Sequence, residues 1–353
     1  YLDGFFNELG IKLERQSFEI PGYHKPGVNL VAHIGTNPEL PVILLGSHYD
    51  TTPIAQGAED DGSGMALMLE CARYFAPLRD KVNLVFAFFD LEEAENPAVA
   101  KVRREAGLEL GIFDENYIYS KLEYMDIENS LMPMFVSGEP LGESCRRAVD
   151  NSGAAGNMRE YLERIAEAMS GFVKPNGFGE NGLLGSFNWV ESNPDVISNL
   201  AGAIIYDEVG VASDIPHSGQ ISDTSLFEIA ELNGVDPAAD IGNYIVMVSN
   251  SAASALADTV KQSAKSEGLP YAGFAPDMDY ISMLKSPVRY LLFADNAPFW
   301  EKDIPTVFFT DTGHGMRGKY GHTRADTVEH MNFDFLAKLT RTTIDTIERF
   351  YGI

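Results

Sequence analysis

Two adjacent carboxylates, Glu92 and Glu93, follow the apolar run VNLVFAFF at residues 82–89. Paired acids in such a place can divide two tasks, one binding a metal ion and the other moving a proton. The run is rich in β-branched and aromatic residues and ends in charge, which predicts a buried strand. Open α/β sheets collect ligands at the carboxyl ends of such strands. Four further residues of ligand type also fall at element ends: His48 after PVILLGS, Asp60 in GAEDDGSG, Asp207 after AGAIIY and His322 in KYGHTRADT. With Glu93 they form a mixed imidazole and carboxylate set that suits zinc or a related divalent ion. Five ligands serve two tetrahedral ions only if one is shared, and a bridging carboxylate holds such a pair roughly 3.5 Å apart. Asp60, on a tight glycine-bounded turn, is the natural bridge, and Asp61 then caps the helix that starts near Gly62.

Two more acids stand close to the histidines. Asp50 lies two residues after His48, a spacing that lets its carboxylate accept the outer ring proton and set the tautomer of a ligating imidazole. Asp326, four residues after His322, can do likewise. His24, His33, His217, His314 and His330 have no such surroundings and read as ordinary polar histidines.

These residues need a scaffold that brings strand ends together. Strand-like runs at 28–35, 41–50, 82–90, 201–207, 243–250, 290–295 and 304–311 alternate with helical stretches at 62–75, after 250, and from Asn332 to Phe350. The alternation predicts an α/β fold: a mixed, mostly parallel central sheet flanked by helices on both faces. The whole chain, 1–353, reads as a single catalytic domain with two interruptions. Segment 94–181 is a helical insertion leaving the cleft directly after the paired glutamates, placed to act as a lid or as a peripheral decoration. Segment 211–243 has little periodicity and reads as a second irregular insertion. The glycine-rich GFGENGLLG at 177–185 lacks the strand before it and the Lys-Ser or Lys-Thr pair after it that a phosphate loop requires.

Composition narrows the partners. A formal charge of −26 repels phosphate backbones and anionic membranes, so nucleic acid is excluded as a partner and the acidic surface reads as solvated. No apolar stretch is long enough to span a bilayer. Cys71 and Cys145 are too few for a disulfide framework. The opening YLDGFFNELG reads as a helix and has no basic stretch ahead of an apolar one, so any targeting segment lies outside these residues.

At this level the motifs are specific. HYDT (48–51), GAEDDGSG (57–64), FFDLEEAE (88–95), GLLGS (182–186), YDEVG (206–210), ADNAPFWEKDIPTVFF (294–309) and GHTRADT (321–327) occur in an order that resembles the co-catalytic zinc aminopeptidases of the bacterial leucine aminopeptidase and aminopeptidase Y type. The resemblance implies a zinc-peptidase fold of the phosphorylase/hydrolase kind and two Zn2+ ions. Glu93 and His322 would hold one, His48 and Asp207 the other, and Asp60 would bridge, with a cis peptide to Asp61. It further implies Glu92 as general base and peptides with a free amino terminus as substrates; an extracellular or periplasmic location, with any signal segment outside these residues, is a separate expectation.

The chain departs from that pattern in places. Gly321 stands before the last histidine where some relatives have a tyrosine, with Tyr320 one residue earlier, and Asn296 stands where relatives often carry a histidine. Glutaminyl cyclases share HYD, the glutamate pair and the final histidine, but lack the second aspartate of the turn and carry a tryptophan soon after the glutamates. Here Asp61 is present and no tryptophan lies between Glu93 and Trp189. A carboxypeptidase of the wider family and a non-catalytic binding relative would also be built on this fold, since fold alone does not settle function.

Overall fold

The computed structural model describes residues 1–20, 25–52, 55–94, 96–121, 123–124, 141–170, 182–219, 229–284, 286, 289–313 and 321–353. Its centre is a nine-stranded mixed sheet. The strands are β1 (Leu13–Phe18), β2 (Gly27–Gly35), β3 (Val42–His48), β4 (Asn83–Phe89), β5 (Leu200–Tyr206), β6 (Glu231–Asn233), β7 (Ile245–Ser249), β8 (Tyr271–Phe274) and β9 (Thr306–Asp311), in the order β1-β2-β4-β3-β5-β9-β7-β8-β6. At the centre β4, β3, β5 and β9 run parallel. On either side β2 and β7 pair antiparallel with this block.

Continuous apolar runs explain why the centre is buried on both faces. Along β4, Leu84, Phe86 and Phe88 point to one face, while Val85, Ala87 and Phe89 point to the other. The first face is covered by α1 (Leu2–Glu8), α2 (Gly62–Phe75), α7 (Ser254–Glu267) and α8 (Phe333–Tyr351). The second is covered by α6 (Leu184–Ser192) and by the helices of the 94–181 segment, α3 (Pro97–Glu109), α4 (Leu141–Asn151) and α5 (Gly156–Ala168). Trp189 of α6 is fully buried between Phe89 and Phe299, with ring centroids 6.4 and 5.9 Å away.

The start of α6 docks so closely that only glycine fits. Asn29 Nδ2 donates to the Gly185 carbonyl at 2.9 Å, and a Cβ at Gly185 would sit 2.3 Å from the Asp90 carbonyl oxygen. Gly185→Ala is expected to destabilise the fold by about 1–3 kcal/mol, the usual range for overpacking against backbone. Urea titration reads this directly, and an unchanged midpoint would mean that α6 is free to lift away.

One expected strand is absent. Residues 290–295 form a 3-10 turn at Arg289–Leu292 that runs into a short helix at Ala297–Glu301. A short apolar run looks the same whether it is buried as a strand or as a turn. Here Asn296 Nδ2 donates back to the Leu291 carbonyl at 2.8 Å and closes the turn. The short strands β1, β6 and β8 were not expected from the sequence; β6 lies within the 211–243 segment that reads as irregular.

Candidate metal centre

The parallel centre delivers four of the candidate residues from three adjacent strands. β3 ends at His48, β4 leads into Glu92 and Glu93, and β5 leads into Asp207. β4 and β5 flank β3; the β3–β4 connection crosses one face of the sheet through α2 and the β4–β5 connection crosses the other through α6, which leaves a crevice above the strand ends. Asp60 enters from the turn before α2 and His322 from the loop after β9. The peptide between Asp60 and Asp61 is cis. Leu91, Glu208 and His322 adopt left-handed backbone around this crevice, with φ of 60°, 53° and 56°. Such conformations in non-glycine residues concentrate at functional sites.

Two ligand groups result. In the first, His48 Nε2 lies 3.1 Å from Asp60 Oδ1 and 3.6 Å from Asp207 Oδ1. In the second, His322 Nε2 lies 3.0 Å from Asp60 Oδ2 and 3.0 Å from Glu93 Oε1. Each oxygen of Asp60 thus faces a different histidine. Asp61 also comes near the first group, but its oxygens are already engaged. Oδ2 accepts from Ser47 Oγ at 2.5 Å, and Oδ1 accepts from the Gly64 and Glu208 N–H groups at 3.0 and 3.2 Å. Asp61 is therefore the cap of α2, and Asp60 is the carboxylate left open to both sides.

The donor set fits a divalent cation. His48 Nε2 and Asp207 Oδ1 are buried and make no hydrogen bond of good geometry, although acidic and imidazole atoms surround them. Buried polar atoms that converge without pairing are costly unless something else occupies the point they share. The outer nitrogen of His48, Nδ1, donates to the backbone carbonyl of Asp50 at 3.0 Å, which fixes the proton there and leaves the Nε2 lone pair facing the crevice. The Asp50 carboxylate, at 3.6 Å, is not the partner that the spacing suggested. It accepts instead from the Glu92 and Glu93 backbone N–H groups at 3.0 and 3.1 Å. Asp326 likewise does not orient His322; its carboxylate accepts from the Glu59 and Asp60 N–H groups at 2.8 and 3.4 Å.

The electrostatics point the same way. Burial raises the Glu92 carboxyl well above the usual range, His48 opposes this, and the charges of Glu93, Asp207 and Asp295 add to it. Burial, with Asp60 adding, pushes Glu93 up to about 7. Asp60 moves the other way: burial works against its charge, but the hydrogen bonds from His322 and His48 hold it well below normal. His48 is raised because Asp207, Asp50 and Asp60 together outweigh its burial. This many carboxylates around two imidazoles is an excess of negative charge that a bound cation neutralises.

Asp295 has no ligand spacing to single it out in the sequence. It is 1% exposed, its two oxygens make no hydrogen bond of good geometry, and burial raises it to about 7 against the pull of His48. The remaining histidines that the structure describes stay ordinary. His33 pairs with Asn83 at 2.8 Å and the exposed His217 with Asp240 at 2.6 Å. Tyr320, His24 and His314 lie outside the described residues.

Residues 29–111 match the model of peptidase family M28. A vacuolar membrane protease of Candida glabrata is 28% identical over 172 residues, covering 44% of this chain and 18% of the relative. A probable zinc metalloprotease of Pyrenophora teres f. teres is 31% identical over 163 residues, covering 38% of this chain and 35% of the relative. The chain therefore spans little more than a third, or less, of these relatives. Among solved structures, a glutaminyl cyclase of Porphyromonas gingivalis superposes with a TM-score of 0.52 at 18% identity, covering 99% of this chain and 87% of that one. A leucine aminopeptidase precursor of Bacteroides thetaiotaomicron superposes with a TM-score of 0.50 at 17% identity, covering 98% and 86%. The two structures share the α/β fold described above, and the motif resemblance read from the sequence holds. The segment that supplies His48, Asp60 and Glu93 is the one that matches peptidase family M28.

Proposed function

We propose that the protein is a zinc exopeptidase, an aminopeptidase that releases the amino-terminal residue of peptides. The observation that carries this reading is Asp60, whose two oxygens face the His48–Asp207 and His322–Glu93 groups separately, as a carboxylate shared by two Zn2+ ions would. When bound, the ions supply Lewis acidity that acidifies a water and polarises the scissile carbonyl.

The chain's own residues do the rest. Glu92 takes the proton of the attacking water and hands it to the leaving amine. Asp50, holding the Glu92 and Glu93 backbone together, keeps base and ligand in register. The extracellular or periplasmic location is part of the same proposal. The fungal relative is by name a protease of the vacuolar membrane, and among the described residues no helix is long and apolar enough to cross a membrane. The net charge of −26 argues against nucleic acid as a partner.

A panel of free and amino-blocked peptides, assayed with the metal content counted, tests the proposal. The expected result is two metal ions per chain and release of amino-terminal residues from the free peptides alone. One ion with pyroglutamate formation would replace it with cyclase chemistry, and cleavage of blocked peptides from the other end with carboxypeptidase action. Absence of both metal and turnover would leave a binding role.

A further inference from the structure

The loop from Gly321 to Thr327 reaches Asp60 twice. His322 meets its carboxylate through Oδ2 at 3.0 Å. Four residues on, Asp326 takes hold of the main chain, Oδ1 accepting from Glu59 N–H at 2.8 Å and Oδ2 from Asp60 N–H at 3.4 Å. Asp326 is 2% exposed, so these bonds work with little competition from water. The loop itself is braced: Asp326 N–H donates to the Thr323 carbonyl at 3.2 Å and Ala325 N–H to Thr323 Oγ1 at 3.1 Å. The same device recurs across the crevice, where Asp50 grips the N–H groups of Glu92 and Glu93.

From this double hold we infer that Asp326 is a positioning residue for the metal group formed by Asp60, Glu93 and His322, acting through the backbone of the shared aspartate. The inference rests on the metal-centre reading above. One loop carries a ligand and the clamp that sets where the next ligand stands, so the separation of His322 Nε2 and Asp60 Oδ2 is fixed by a short, braced piece of chain. His48 and Asp207 are held from β3 and β5, so their group feels this clamp only through the shared Asp60, whereas the other group takes His322 from the clamping loop as well.

An amide at position 326 tests it. In Asp326→Asn one of the two clamped N–H groups faces an NH2 instead of an oxygen, with side-chain volume kept. Zinc and Co2+ titrations of the metal-free full chain are compared for wild type, Asp326→Asn and His322→Ala, with visible absorption of the Co2+ forms. His322→Ala identifies the ion of the affected group. Outer-shell changes of this kind weaken metal binding about 10–100-fold. The expected result is that loss at the His322 ion, an altered Co2+ spectrum for it, and a clearly smaller loss at the His48 ion, which shares only Asp60 with the clamped group. Asp326→Glu, which keeps both acceptor oxygens, should recover part of the affinity.

Equal weakening of both ions together with a lowered melting temperature of the metal-free chain would reduce Asp326 to a structural role and overturn the inference. So would full affinity at the His322 ion. If wild type takes up one ion only, at Asp60, Glu93 and His322, the two-ion reading fails while the clamp is still measured on that ion. An ion bound without this group, or no ion at all, overturns both.

Discussion

Glu92→Gln is expected to lower kcat by about 100-fold or more, the scale of a lost general base, while leaving metal content intact. Gln matches Glu in size and keeps the backbone N–H that donates to Asp50 Oδ1 at 3.0 Å, so the loop geometry survives the change. On the proposed reading, what goes is the ability to accept a proton from water and return it to the leaving amine. Metal content survives because the ligand carboxylate is the neighbouring Glu93, which stands 3.0 Å from His322 Nε2. The substitution therefore separates two residues that are adjacent in sequence. Kinetics on a free peptide beside elemental analysis of the same preparation gives the answer. An unchanged rate removes Glu92 from the chemistry, and lost metal reassigns it as a ligand.

On the proposed two-ion reading, Asp60→Ala is expected to abolish activity and to strip both ions, not one. Its Oδ1 is 3.1 Å from His48 Nε2 and its Oδ2 is 3.0 Å from His322 Nε2. Each group then keeps one imidazole and one carboxylate, too few to hold zinc in a tetrahedral site. The loss of affinity should exceed the roughly 10–100-fold typical of outer-shell changes. Glu93→Ala is the matching comparison, since it removes a ligand from the His322 group alone and should leave the His48 ion bound. Retention of one ion at full affinity in Asp60→Ala would show that the carboxylate is not shared.

What the sequence displays of the fold and the site depends on the range of the interaction. The central strands are legible because β3, β4, β5 and β9 are each built on a near-continuous apolar run, as strands buried on both faces are. Helix α2 announced itself through Asp61, whose side chain does accept from Gly64 N–H at 3.0 Å. The ligand candidates were legible because each stands at an element end in a chemically unusual context. The duties of Asp50 and Asp326 differ from those their spacing suggests because a sequence displays only near neighbours. Their partners are backbone N–H groups 42 and 266 positions away, which have no residue type to betray them. Strands β1, β6 and β8 escaped notice because they are short and lie toward the outer parts of the sheet, where alternation is weak.

The spread of the centre along the chain has a consequence for how it comes into being. His48, Asp60, Glu93, Asp207 and His322 are drawn from most of the length of the polypeptide, and the β3–β5 pairing that brings two of them together joins Val42 to Leu200. Loops of that length carry an entropic cost before their contacts repay it, and folds dominated by distant pairings form slowly. No early, locally ordered species can present more than part of the ligand set, so tight metal capture comes after the parallel centre has closed. Metal uptake followed in time would therefore report the last stage of maturation, and a chain arrested before that stage would be left without a complete ligand set.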